Sequence, residues 1–103
     1  MTRRYILIDE SLKDIRDHRE YLLKEANSKV AHDFIVTIFE KFQFLANYPD
    51  VGKPRTEIKL HFLSFPVTRY KRTIFYKKTS TGVRILAVLG SYQDHKRHIT
   101  KRN

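Results

Sequence analysis

Basic and aromatic side chains concentrate in one stretch, RYKRTIFYKK, which spans residues 69–78. It holds five Lys or Arg residues, three aromatic residues and no acid. Cations bind phosphates or carboxylates, and aromatic rings stack on bases, so the stretch is a candidate binding or catalytic strand. Because strand side chains alternate sides, its pattern predicts a strand with a buried centre at Ile74, Phe75 and Tyr76. The residues predicted to bind a partner at its start are Arg69, Tyr70, Lys71 and Arg72.

Two histidine-containing pairs have spacings that could also do chemistry. His95 and His98 could share one helical face and hold a metal or act as acid and base. Only Asp94 accompanies them, so we interpret the chain from about residue 95 as a solvated basic tail without a metal. Lys59 and His61 could belong to a nuclease site, although the residue pattern favours a structural or exposed role for His61.

The positive charge of the chain is segregated. The net charge is +10, yet residues 1–47 hold eight basic and eight acidic residues. Residues 48–103 hold thirteen basic and three acidic residues, so the whole excess lies in the second half. Such a concentrated field predicts an anionic partner, either a polyanion or an acidic protein.

Length and composition favour a single globular domain over residues 1–103. The chain has no cysteine, which excludes disulfides and thiolate chemistry. No apolar run approaches the roughly 18 residues of a membrane span, and MTRRYILIDES does not resemble a signal peptide. We therefore expect a cytoplasmic protein that needs no cofactor.

Hydrophobic spacing predicts the first half of the fold. Tyr5–Ile8 is an apolar run typical of a strand. Ser11 and Asp14 fit a capping box, which predicts a helix from Ser11 to about residue 26. A second helix is predicted from Ser28, with apolar residues at steps of three and four, until the prolines and glycine of YPDVGKP end it.

The second half reads as three strands. They are predicted over Leu60–Val67, Arg72–Lys77 and Val83–Leu89, with TSTG as the turn between the last two. The order is β-α-α-β-β-β, an α+β fold in which a helical hairpin covers one face of a small, mostly antiparallel sheet. The other face is expected to be open. In the last hairpin, the start of one strand and the end of the next lie together, so residues 69–72 should converge with the tail cations Lys96, Arg97, Lys101 and Arg102.

The chain resembles the RelE/ParE superfamily of bacterial toxins over about 90 residues. The resemblance rests on an ordered series of motifs: YILIDESLKDI, FLANYPDVGKP, FLSFPVTRY, TIFYK and VRILAVLGSYQD. It implies the same β-α-α-β-β-β fold and a growth-inhibiting toxin of a type II toxin-antitoxin system, neutralised by a cognate antitoxin. Such systems are associated with plasmid stabilisation.

The superfamily contains two activities. RelE-like members are metal-independent, ribosome-dependent endoribonucleases of messenger RNA, which need groups to deprotonate the 2′-OH, stabilise the phosphate and protonate the leaving oxygen. The resemblance places Thr73 where those enzymes carry an arginine, which argues against this activity. The catalytic residues implied by this alternative are Lys59, His61, Arg72, Tyr92 and His98.

The closer resemblance is to the ParE-like branch, which inhibits DNA gyrase by binding rather than by catalysis. Its features here are the YP-x-x-G-x-P-R turn, the Ser-Phe-Pro-Val strand and the Ile-Phe-Tyr strand followed by a basic residue. A non-toxic, nucleic-acid-binding relative is a further alternative. The residues predicted to bind the target or the antitoxin are Arg69, Tyr70, Lys71, Arg72, Tyr92, His95, Lys96 and Arg97.

Overall fold

The computed structural model of the chain describes residues 3–90 and 93–103. The predicted α+β architecture is present, with one further short strand and one further short helix. The elements are β1 (Arg4–Leu7), α1 (Asp9–Glu25), α2 (Ser28–Asn47), β2 (Lys53–Pro54), β3 (Leu63–Val67), a 3₁₀ turn (Thr68–Tyr70), β4 (Arg72–Lys78), β5 (Gly82–Gly90) and α3 (His95–Ile99).

The strands form one mixed sheet in the order β1-β5-β4-β3-β2. β1 pairs in parallel with β5, and the other neighbours are antiparallel. A bulge interrupts the β4–β5 pairing, since Phe75 faces Ala87 while Tyr76 already faces Ile85. The extra residue, Leu86, shifts the alternation of β5, and such a shift re-aims side chains near the bulge.

The start of α1 differs from the predicted capping box. The helix begins at Asp9, and its N-cap residue makes no side-chain capping bond. Ser11 is buried inside the first turn, and its hydroxyl donates to the Ile8 carbonyl at 2.7 Å. Asp14 instead accepts a hydrogen bond from the Val88 amide at 3.0 Å. The acids at positions 9 and 10 favour the earlier start, because negative charge stabilises the positive end of the helix dipole.

The predicted second helix, α2, begins at Ser28 and supplies most of the helical side chains of the core on one face of the sheet. Asn27 caps it by accepting from the Val30 amide at 2.9 Å. Within the part of the chain that the structure describes, no helix has the length and apolarity to cross a membrane. Together the two helices cover the sheet through a buried cluster that includes Ile15, Phe34, Ile38, Phe42, Leu45, Ile74, Tyr76, Val83 and Ile85.

The second face of the sheet is covered, and the expectation of an open face is wrong. The segment 55–62 and helix α3 both fold onto it. Their apolar side chains join the sheet in a second buried cluster, which contains Ile58, Phe62, Phe75, Leu86, Ala87, Leu89 and Ile99. The predicted strand Leu60–Val67 therefore begins only at Leu63, because the residues before it turn back over the sheet. A single isoleucine in a basic tail, Ile99, was too weak a signal to predict this cover.

Candidate functional site

A cleft of about 810 Å³ opens between α1 and the connection from β3 to β4. We call it the basic cleft. Its polar and aromatic lining comes from α1, the 3₁₀ turn, the start of β4 and the chain just after β5. These lining residues are Asp14, Asp17, His18, Tyr21, Arg69, Tyr70, Lys71, Arg72 and Gln93.

A tight turn presents three cations to the basic cleft. The chain leaves β3 at Val67, passes through the 3₁₀ turn and enters β4 opposite the same residue, since Val67 pairs with Arg72. Lys71 reverses the chain in the left-handed region (φ 53°), and its amide donates to the Thr68 carbonyl at 3.1 Å. The Arg69 guanidinium lies over the Tyr70 ring, 5.3 Å from its centroid. Residues 69–71 are thus a turn, not the start of a strand, and Arg69 and Lys71 are exposed.

The end of β5 meets the start of β4, as the hairpin predicted. Arg72 pairs with Gly90 across the sheet. The Gln93 side-chain oxygen accepts from the Gly90 amide at 2.5 Å and from the Arg72 guanidinium at 3.4 Å. His95 Nε2 lies 2.9 Å from the Gly90 carbonyl oxygen, and its ring packs edge-on against Phe75 at 4.8 Å. His95 therefore helps to anchor the chain after β5.

His18 forms the inner wall of the basic cleft and was missed from the sequence. Its ring stacks on Tyr21 at 5.6 Å and 13° and meets the edge of Phe34 at 4.8 Å. Burial, with a smaller contribution from the positive charge of Arg72, lowers the pKa of His18 to about 4. The ring is therefore neutral at pH 7 and packs against Tyr21 and Phe34 as an uncharged ring. Its position between Ile15 and Leu22 on the apolar stripe of α1 is the signal that could have found it.

The two acids in the basic cleft are paired with cations that do not line it. Asp14 forms an ion pair with Arg102 at 2.7 Å, and both side chains are largely buried. Asp17 pairs with Lys13 at 2.8 Å on the exposed side of α1. The ion-pair partners of these two acids are therefore Lys13 and Arg102 rather than Arg69 or Lys71, which also line the cleft.

Tyr70 lines the basic cleft and also packs against the buried cluster between the two helices and the sheet. Its ring meets Phe34 edge-on at 5.2 Å. Its hydroxyl is buried and has no hydrogen-bond partner among residues 3–90 and 93–103. A buried polar group of this kind calls for a hydrogen-bond partner, and residues 3–90 and 93–103 do not supply one.

The tail does not place all of its cations beside the β3–β4 turn. Lys96 and Arg97 are exposed in the first turn of α3, close to the end of β5. Beyond them the chain runs back along the second face of the sheet, where Arg102 donates to the Leu86 carbonyl at 3.0 Å. Arg102 is instead paired with Asp14, a residue of the basic cleft, so this cation of the tail is already bound by an acid. Tyr92 lies outside the described residues.

The residues predicted for a ribonuclease site are divided between different places. Lys59 donates to the Thr100 carbonyl at 3.3 Å and to the Asn103 side chain at 3.2 Å. His61 is exposed in a left-handed conformation (φ 71°), and His98 is exposed on α3. Arg72 instead lines the basic cleft. Among residues 3–90 and 93–103, no group of three His, Asp or Glu side chains is placed to hold a metal ion.

The fold places the chain in the class of small, basic α+β proteins that carry a helical hairpin on one face of a mixed sheet. A family model for the ParE toxin of type II toxin-antitoxin systems (parDE) matches residues 5–95, and the chain belongs to this family. It is similar in fold to a chain of the chromosomal ParDE TA system from P. aeruginosa, with a TM-score of 0.72 and 11% sequence identity. The match covers 84% of this chain and 94% of that one. No curated protein matches the sequence significantly.

Proposed function

We propose that this ParE-family toxin inhibits growth by binding DNA gyrase in the cytoplasm and that a cognate antitoxin neutralises it. The observation that carries the proposal is the family match over residues 5–95, which spans the helical hairpin and all of the sheet except Arg4, the first residue of β1. The ParDE system of P. aeruginosa, named for a toxin and its antitoxin, supports an antitoxin partner here. Binding is favoured over RNA cleavage because Arg72 lies in the basic cleft while Lys59 is held by the C-terminal residues.

We assign the binding surface to the exposed cations around the β3–β4 turn and the first turn of α3. Arg69 and Lys71 project from the turn, and Lys96 and Arg97 follow the end of β5. The pairing of Arg72 with Gly90 brings the two groups to one end of the sheet. A concentrated positive surface accelerates association with an acidic partner and makes that association sensitive to salt.

Gyrase supercoiling with the purified protein tests the target. The wild-type protein is expected to inhibit the reaction, and the double variant Arg69→Glu, Lys71→Glu is expected to inhibit it at least about tenfold less well. The matched control, Lys53→Glu with Lys101→Glu, makes the same change of charge at exposed positions away from the turn and should inhibit like the wild type. Full inhibition by the turn variant would contradict the assigned surface, and no inhibition by any form would contradict gyrase as the target.

An assay of ribosome-programmed messenger RNA cleavage tests the ribonuclease alternative. No cleavage is expected from the purified protein. Cleavage that is lost in Arg72→Ala would overturn the proposal in favour of the ribonuclease.

The antitoxin is tested by expressing the chain with and without a small acidic reading frame adjoining its own, and rescue of growth is the expected result.

A further inference from the structure

The basic cleft has the dimensions of a small-molecule site. Its volume of about 810 Å³ falls within the few hundred to roughly one thousand Å³ typical of such sites. It lies between a helix and a tight turn, and its lining combines cations, aromatic rings and neutral hydrogen-bonding groups. A gyrase-binding surface needs exposed cations, but it does not need a concave pocket behind them.

The cations of the basic cleft are arranged for a phosphate group. Three cations come from four consecutive positions at the β3–β4 turn: Arg69, Lys71 and Arg72. The hydrogen bond from the Lys71 amide to the Thr68 carbonyl holds the backbone of this turn. Within the described residues, Arg69 and Lys71 form no ion pair. The two acids of the cleft, Asp14 and Asp17, form their ion pairs with Arg102 and Lys13 and not with Arg69 or Lys71. Guanidinium and ammonium groups together match the several oxygens of a phosphate.

An aromatic platform lies beside these cations. The Tyr21 side chain is 57% exposed, and one face of its ring is stacked on His18. His18 in turn packs edge-on against the buried Phe34, which supports the pair from below. A planar base can stack on an exposed aromatic ring regardless of its identity.

Neutral donors complete the site. The Gln93 side-chain oxygen faces Gly90 and Arg72, which directs its amide nitrogen away from them. The Tyr70 hydroxyl is a second donor, buried and without a partner among the described residues.

We propose that the basic cleft binds a mononucleotide, with the phosphate against Arg69, Lys71 and Arg72 and the base stacked near Tyr21. An acidic side chain of a protein partner would use the cations but not the aromatic platform. The platform therefore favours the nucleotide. This site goes beyond gyrase inhibition, and it is tested without gyrase or antitoxin.

The test is calorimetric titration of the purified full chain with AMP, inorganic phosphate and adenosine in parallel. AMP is expected to bind at least about tenfold more tightly than either fragment, because it alone engages both halves of the site. Tyr21→Ser should remove most of the advantage of AMP over phosphate. Arg69→Gln with Lys71→Asn should weaken AMP binding by about tenfold or more, and asparagine tolerates the left-handed backbone at position 71.

Matched controls distinguish a specific site from general electrostatic attraction of AMP to a basic protein. Lys53→Gln with Lys101→Gln removes the same charge elsewhere and should leave AMP binding unchanged. Equal weakening by this control, or no binding at about 5 mM AMP, would overturn the proposal. An acidic peptide that binds more tightly than AMP and is indifferent to Tyr21→Ser would also overturn it, in favour of a protein partner. NMR shifts confined to the residues of the basic cleft are the expected map, and shifts confined to the opposite sheet face would contradict it.

Discussion

Two tyrosines of residues 69–78, Tyr70 and Tyr76, differ in whether the hydroxyl forms hydrogen bonds. The Tyr76 hydroxyl is buried in the core, accepts from the Gly52 amide at 2.9 Å and donates to the Pro49 carbonyl at 2.9 Å. Tyr76 thereby ties the turn after α2 to the sheet, and burial raises its pKa. The Tyr70 hydroxyl is also buried, but it has no such partner among the described residues.

These states predict opposite effects of removing the hydroxyl. Tyr76→Phe should lower the free energy of unfolding by about 1–3 kcal/mol, because two polar backbone groups lose their partner. Tyr70→Phe should leave the stability unchanged or raise it by up to about 1 kcal/mol, since it removes an unsatisfied group without changing the ring. Urea denaturation of the two variants measures both. If Tyr70→Phe costs as much as Tyr76→Phe, the Tyr70 hydroxyl is bonded in solution.

His18 predicts a pH dependence of stability. Its pKa is about 4 in the folded chain and about 6.5 in the unfolded chain, so the unfolded chain binds the proton more strongly between these values. Stability should therefore be fully present above about pH 6.5 and should fall by on the order of 1–3 kcal/mol as the pH drops to about 4.

The variant His18→Phe isolates this effect, since it keeps a ring against Tyr21 and Phe34. The difference in unfolding free energy between wild type and variant, measured by urea denaturation from pH 7 to pH 4, should change in the variant's favour as the pH falls. Parallel pH profiles for the two proteins would contradict this, because they would mean that His18 has the same pKa in the folded and unfolded chains.

At the scale of elements, α3 depends on its contact with the sheet. Five residues are too few for a helix to be stable alone. Its N-cap, Asp94, accepts from the Arg97 amide at 3.2 Å, and Ile99 is fully buried in the second cluster. The burial of Ile99 is therefore one of the contacts that hold the basic tail against the sheet.

Ile99→Ala should lower the free energy of unfolding by about 2–4 kcal/mol, because it leaves a cavity beneath α3. His98→Ala, at the neighbouring exposed position, should change it by no more than about 0.5 kcal/mol. Thermal and urea unfolding give both values. Hydrogen exchange should show faster opening of the amides of α3 in the first variant only, and equal exchange rates would mean that α3 is held by other contacts.

At the scale of the whole molecule, one ion pair joins three parts of the chain. Arg102 binds Asp14 on α1 and the Leu86 carbonyl on β5, while Asp14 also accepts from the Val88 amide. The two ionised side chains are only 12% and 14% exposed. Removing one partner of such a pair leaves the other charge buried without compensation.

Arg102→Met should therefore cost about 3–5 kcal/mol of unfolding free energy. The double variant Asp14→Asn, Arg102→Met should cost less than the sum of the two single changes, and a double-mutant cycle measures this coupling. A cost below about 1 kcal/mol for Arg102→Met would indicate a solvated pair of the kind found on protein surfaces. Circular dichroism of each variant serves as the control for folding.

Much of the fold was predictable because local patterns encode it. The three- and four-residue spacing of α2, the YPDVGKP turn and the TSTG turn are properties of neighbouring residues, and each stands where it was predicted. The buried position of Tyr76 also followed from the apolar centre of its strand. The predicted start of α1 was wrong because a Ser and an Asp three residues apart can cap a helix or lie inside one. Here both lie inside α1, and Asp14 bonds to Val88 and Arg102, which are distant in the sequence.

The sequence by itself determined the order of the elements, the hairpin that brings Arg72 to Gly90, and the concentration of positive charge in the second half. Only the tertiary structure decided that the tail closes the second face of the sheet and that α1 and the β3–β4 turn enclose the basic cleft. The reason is separation along the chain. Asp14 meets partners 74 and 88 residues away, and no periodicity of neighbouring residues encodes such contacts.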